Sequence, residues 1–143
     1  MMALDVGGRR IGVALSDSTR VLASPLTTLR AEPRARALAD IAALAARHEV
    51  AEVVVGLPLT LSGEIGPQAQ IVQTFVEELR QALALPIHLF DERLTTVAAE
   101  RMMIDLGMKP DQRKARIDEV AASIILQDFL EARRDHGERG HIS

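Results

Sequence analysis

The chain opens on an apolar run, residues 2–6, broken by a carboxylate at Asp5, and a second apolar run, 10–16, follows across Gly7-Gly8. Two short apolar runs joined by paired glycines predict a β-hairpin. "SDST" at 16–19 is a turn cluster, and residues 20–29 predict a third strand. Pro25 lies inside that strand, has no N–H to give to a ladder, and assigns it to a sheet edge. "PRARALADIAALAARH" (33–48) is alanine-rich, starts on a proline, and repeats Leu38, Ile41, Ala42 and Ala45 at helical spacing. "AEVVVGLP" (51–58) carries three successive valines, the mark of a strand buried on both faces. Residues 66–83 predict a helix with Pro67 near its start and Ile71, Phe75 and Leu79 on one face. "PIHLFDE" (86–92) predicts another strand, and 95–107 a helix with a threonine cap and Gly107 as its stop. The last segment, 111–135, predicts a long helix capped by Asp111.

The order is therefore three strands, then helix, strand, helix, strand and two helices. A leading antiparallel meander followed by strand–helix alternation calls for an α/β fold, a mixed sheet with helices on its faces. There is no internal repeat or linker, so residues 1–135 form one domain, and the polar stretch 136–143 is a tail.

Composition refines this picture. The 143 residues suit one full-sized core, and the hydrophobic share of 48% is inconsistent with disorder. No apolar run reaches the roughly 20 residues that cross a bilayer, and no basic-then-apolar leader opens the chain. A cytoplasmic protein is expected. With no cysteine, thiolate metal sites and disulfides are excluded. Net charge is −3, but charge is unevenly placed. "KPDQRKAR" (109–116) holds four basic residues against one acid, and Arg9 and Arg10 follow the opening glycines. Tyrosine and tryptophan are absent and only three phenylalanines occur. Any nucleic-acid contact would go to phosphates and shape, because a base-stacking platform needs aromatic residues.

Three acids stand where acids are expensive. Asp5 interrupts the first strand, Glu92 ends the fifth, and Asp118 lies near the start of the final helix, each flanked by apolar residues. Converging ionised carboxylates repel unless something positive lies between them. Hard divalent cations such as Mg²⁺ or Mn²⁺ fill that role with oxygen ligands. Two such ions about 4 Å apart clamp the attacking and leaving oxygens of a phosphodiester. Gly7 and Gly8 remove side chains beside Asp5, which lets a polyanion approach the backbone. The run 109–116 could hold phosphates. Each acid also has a plainer explanation. Asp5 could cap a hairpin, Asp118 could be a surface charge at the margin of the stripe Ile117, Ala121, Ile124 and Ile125, and Glu92 could pair with Arg93 or precede a helix. Asp91 and Glu92 would point to opposite faces of a continuing strand, so only one could serve a common site.

Four blocks in order, "LDVGGRRIGVALSD", "VVVGLPLTLSG", "LFDERLTTVAAE" and "RIDEVAASIILQDFL", resemble the YqgF (RuvX) family of RNase H-like nucleases. Members of that family are described as pre-16S rRNA nucleases and as Holliday junction resolvases. The resemblance implies an RNase H-like fold: a five-stranded mixed sheet, its first three strands antiparallel, with helices on both faces. It places the family's metal ligands on Asp5, Glu92 and Asp118, with Asp5 bridging two Mg²⁺ or Mn²⁺ ions. It makes the loop after the fourth strand face the substrate, although Thr60 and Ser62 stand where the family often has Asn and Asp. Arg93, Thr95 and Lys114 join Gly7, Arg9 and Arg10 as phosphate contacts. The implied reaction is phosphodiester hydrolysis that leaves a 5′ phosphate, on RNA or on branched or single-stranded DNA, by a monomer or homodimer.

Readings from other classes are weaker. Actin-like ATPases open on a similar D-x-G hairpin, but they close a cleft between two such domains, and this chain has neither a second D-x-G nor a Walker loop. His48, His88, His136 and His141 lack zinc-site spacing. A non-catalytic RNA- or ribosome-binding module would share the fold, and only turnover measurements separate it from a nuclease.

Overall fold

The glycines place the hairpin where the pattern puts it. Strands β1 (Met2–Val6) and β2 (Arg10–Ser16) pair antiparallel, with Asp5 opposite Gly12 and Val6 opposite Ile11. The Gly7 N–H donates to the Arg10 carbonyl at 2.8 Å. A Cβ on Gly7 would come within 2.9 Å of that same oxygen, so the turn itself demands glycine there. Gly8 faces open space. The described residues of this computed structural model are 1–58, 63–91 and 103–142, with side chains at all of these except 113–115 and 135–142.

Strand β3 (Ala23–Arg30) pairs antiparallel with β2, with a register shift between Val13 and Ala14. It begins later than the expected residue 20 because Asp17 organises a turn first. The Asp17 carboxylate accepts the N–H groups of Val21 and Leu22, at 2.8 and 3.1 Å, and Arg20 adopts a left-handed φ of 58°. Strand β4 (Val53–Leu57) runs parallel to β1, and β5 (Ile87–Asp91) parallel to β4. The five-stranded order is β3-β2-β1-β4-β5, which leaves the Pro25 strand at an edge as expected.

Side chains of the sheet alternate between two cores. Met2, Leu4, Val6, Ile11, Val13, Val53 and Val55 pack with Ile41 of α1 (Arg34–Arg47) and with Phe75 and Leu79 of α2 (Pro67–Ala82). Ala3, Ala14 and Val54 face the other way, against Ala122, Ile125, Leu126 and Leu130 of α3 (Pro110–Ile142). All three valines of β4 are thus buried, one toward each layer in turn. By the same alternation, Asp5 lies on the α3 side of β1.

Three expectations change. Ile71 is 45% exposed, and the buried face of α2 is Ala69, Val72, Phe75, Val76 and Leu79. A row at i, i+4 rotates by about 40° per step, so its first member turns away from the core. Helix α3 starts at Pro110, so Asp111 sits in its first turn and is not the cap. Pro110 needs no hydrogen-bond acceptor at that position, and the Lys109 N–H donates to the Gln112 side chain at 3.1 Å. Helical backbone also continues through Ile142, beyond the expected 135. Of the helix expected at 95–107, the described part is helical at 103–105 and stops at Gly107, whose φ is +75°.

At the end of the sheet where β4 begins, Glu52 ties three elements together. Its carboxylate accepts Arg133 at 2.8 Å, His88 at 3.0 Å and Arg20 at 3.2 Å. Burial opposes its ionisation, but the Arg133 and His88 hydrogen bonds and the charges of Arg133 and Arg20 outweigh that and hold its pKa below the usual carboxylate value. Among the described residues, no helix is long and apolar enough to cross a membrane.

Candidate active site

Strands β1, β4 and β5 are mutually parallel, so their C-terminal ends lie at one end of the sheet. That end is where loops of an open α/β sheet gather ligands. Asp5 is the penultimate residue of β1 and is half-buried. Strand β4 ends at Leu57, before the segment that contains Thr60 and Ser62, and β5 ends at Asp91, immediately before Glu92. Thr60, Ser62, Glu92, Arg93 and Thr95 lie outside the described residues. Asp91 pairs with Leu57, a residue of the α1/α2 core, so it shares that face and not the face of Asp5. His88 and Phe90 lie on the α3 side, where both rings meet Phe129.

Helix α3 carries Asp118 to Asp5 across a single glycine. Gly12 is the cross-strand partner of Asp5. A Cβ built on Gly12 would lie 1.9 Å from the Asp118 carbonyl oxygen, 2.2 Å from its carbon and 2.8 Å from the Glu119 nitrogen. The helix backbone therefore rests directly on β2 beside Asp5, at a distance no other residue type allows. Sequence reasoning gave the close approach to Ala121 and Ala122, which are indeed buried, but Gly12 is the point of contact. A glycine in mid-strand was the available signal.

The Asp118 carboxylate already has a cation. Arg10 Nε lies 2.9 Å from Asp118 Oδ2. Arg10 in turn stands directly opposite Arg30 on β3, a basic residue the sequence reading passed over. Thr28 stands opposite Gly12, so Asp5, Gly12 and Thr28 form one row across three strands. The Thr28 hydroxyl is buried with no hydrogen-bond partner among the described residues. Arg9 is exposed in the turn, and Lys114 precedes Asp118 by one turn of α3, its side chain outside the described set. The structure thus brings together Asp5, Arg10, Asp118 and the Gly7–Arg9 turn.

Two hard oxygen donors beside a glycine-made cradle are a donor set that suits Mg²⁺ or Mn²⁺. Among the described residues no group of three acid, histidine or cysteine side chains is placed to hold a metal ion.

Comparison with known proteins places the fold and the family. Thermus thermophilus RuvC, solved in complex with a Holliday junction substrate, superposes with a TM-score of 0.56 at 16% identity, covering 94% of this chain and 96% of that one. The fowlpox virus Holliday junction resolvase gives a TM-score of 0.53 at 15% identity, covering 92% of this chain and 99% of that one. The fold is RNase H-like, of the kind these resolvases share. A family model described as "RuvX: Holliday junction resolvase" matches residues 1–132, and the chain belongs to that family. A relative from Roseiflexus sp. (strain RS-1) is 69% identical over 134 residues, 94% of this chain and 95% of the relative. One from Chloroflexus aurantiacus (strain ATCC 29366 / DSM 635 / J-10-fl) is 57% identical over 141 residues, 99% of this chain and 92% of the relative. Both carry the name "Putative pre-16S rRNA nuclease".

Proposed function

We propose that the chain is a cytoplasmic, metal-dependent nuclease that hydrolyses phosphodiester bonds, with 5′-end processing of pre-16S rRNA as its reaction. The observation that carries this reading is the Gly12 contact, which sets the Asp118 segment of α3 against the strand that carries Asp5. A glycine there sacrifices strand stability, and the gain is the approach of two carboxylate-bearing elements.

Asp5, Glu92 and Asp118 are the proposed metal ligands and would together hold the divalent ions. When bound, a pair of divalent ions supplies an activated water and stabilises the departing oxygen. The chain's own part is positioning. Asp5 is fixed by a strand hydrogen-bonded on both sides, and Asp118 by the backbone contact at Gly12. The Gly7–Arg9 turn, Arg10, Thr60, Ser62, Arg93, Thr95 and Lys114 are the proposed phosphate contacts. Open space at Gly8 supports approach of a polyanion there. A second reading, cleavage of a branched DNA junction, is supported by the resolvase fold and the description of the family model. It requires a two-fold dimer that cuts two strands symmetrically.

The test is cleavage of end-labelled precursor rRNA ends, single strands and a four-way DNA junction, with Mg²⁺, Mn²⁺ or EDTA, beside Asp5→Asn. Metal-dependent cutting that disappears in the variant is expected, and the substrate ranking separates the two readings. An Asp5→Asn protein that cuts as fast as the parent would refute the assignment. Retained binding with no cutting by the parent would favour a non-catalytic module.

A further inference from the structure

Arg10 and Arg30 are an unusual pair. They face each other directly across β2 and β3, and like charges at that separation destabilise a sheet. Asp118 offsets Arg10 alone. Among the described residues Arg30 has no ion pair, and it ends an edge strand in the open. The Asp118 carboxylate is also the group to which the proposed function gives a divalent cation. Its Oδ2 lies 2.9 Å from Arg10 Nε, so a cation bound to that carboxylate would repel the guanidinium beside it and weaken its hold. The helix backbone cannot open the distance, because it is seated on Gly12. The mobile partner is the Arg10 side chain, which is 52% exposed against 23% for Asp118.

We propose that Arg10 and Arg30 form a phosphate clamp whose readiness is set at Asp118. This rests on Asp118 being a metal ligand, as in the function proposed above. Without a cation, Arg10 is held by Asp118. A cation at Asp118 releases Arg10, and two adjacent guanidinium groups then lack an anion. A backbone phosphate is the anion they suit, because each guanidinium presents paired donors to its oxygens. Metal and nucleic acid therefore bind with positive coupling through Arg10, in addition to any direct contact between them, and the coupling is reciprocal. Neither the family description nor the relatives' names assign a role to Arg30.

Two measurements on the full chain test this. The first is calorimetric titration with Mn²⁺ alone, on the parent, Arg10→Ala, Arg30→Ala and Asp5→Asn. Loss of a partly exposed competing ion pair should tighten Mn²⁺ binding to Arg10→Ala by about two- to fivefold. Arg30→Ala should titrate like the parent, because Arg30 stands away from Asp118 across the ladder. The second is anisotropy of a labelled RNA hairpin with Ca²⁺ or EDTA across a salt series. Ca²⁺ should tighten binding by the parent. Arg10→Ala and Arg30→Ala should each lose part of that gain and lower the salt slope by about one. Mn²⁺ affinity unchanged or weakened in Arg10→Ala overturns the coupling. Parental binding and slope in Arg30→Ala overturn the clamp. Loss of Mn²⁺ binding in Asp5→Asn alone supports the metal site independently of either outcome. Mn²⁺ binding to none of the four proteins would instead refute the metal site, and the coupling with it.

Discussion

Replacing Gly12 by alanine adds one methyl group, and the structure gives it nowhere to go. The new Cβ would lie 1.9 Å from the Asp118 carbonyl oxygen, where an ordinary contact begins at 3.4 Å. Both atoms belong to backbone or are fixed to it, so no rotamer change relieves the clash. The helix must retreat by about 1.5 Å, or the strand must bend as far. Overpacking of this kind costs about 1–3 kcal/mol, and a clash with backbone belongs at the upper end. Restricting the unfolded chain returns about 0.4–1 kcal/mol of that. A net loss of about 2 kcal/mol would lower Tm by roughly 4–8 °C in a domain of this size. The catalytic effect should be larger than the thermal one. A displacement of about 1 Å between catalytic groups costs on the order of 100-fold in rate. Thermal melting followed by circular dichroism and metal-dependent cleavage measured well below Tm would read both. A Gly12→Ala protein with the parental Tm and parental rate would refute the contact and the role given to it.

Two further perturbations probe how α3 and the sheet are joined. Gln127 receives the Ala23 N–H at 3.0 Å and donates to the Val21 carbonyl at 3.0 Å, pinning the start of β3 to the helix. Gln127→Ala should cost about 1–2 kcal/mol in urea denaturation, with little change in the m-value. Glu52 gives an acid-side signature. Its folded-state pKa lies below the ordinary value, so its stabilisation is complete above the usual carboxylate range and is lost as pH falls through the lowered value. The urea midpoint of the parent should therefore fall more steeply than that of Glu52→Gln between about pH 5 and pH 3.

Much of the fold is local chemistry and was legible for that reason. The hairpin bounds 2–6 and 10–16 match β1 and β2 because the paired glycines and alternating apolar residues act within a few positions of each other. Pro25 marked an edge because the missing N–H excludes it from a central ladder. What escaped the sequence depends on neighbours far along the chain. Gly12 drew no reading within its strand, and only the path of α3 above it shows what the missing side chain admits. Arg30 lay just beyond the expected strand 20–29, and only the register sets it beside Arg10. Ile71 was misplaced because an i, i+4 row drifts around a helix while the core does not follow it. Asp5 and Asp118 stood out as acids flanked by apolar residues, but Arg10 as the partner of Asp118 had no signature in spacing.

β1 is the middle strand of the five, laddered to β2 on one side and β4 on the other. Its amides can exchange with solvent only when the sheet as a whole comes apart, whereas the first turns of α3 can open while the rest of the fold stays intact. The two acids therefore differ in kinetic character. Asp5 is a fixed reference point within the sheet, and Asp118 sits at the Gly12 contact, two turns into α3, where the fraying of the helix start has to stop. Occupation of the site should accordingly be visible in deuterium uptake as slower exchange across 110–118, with Met2–Val6 already protected and unchanged. The energy of ligand binding would then be recorded in the order of one helix end and not in the sheet that holds it.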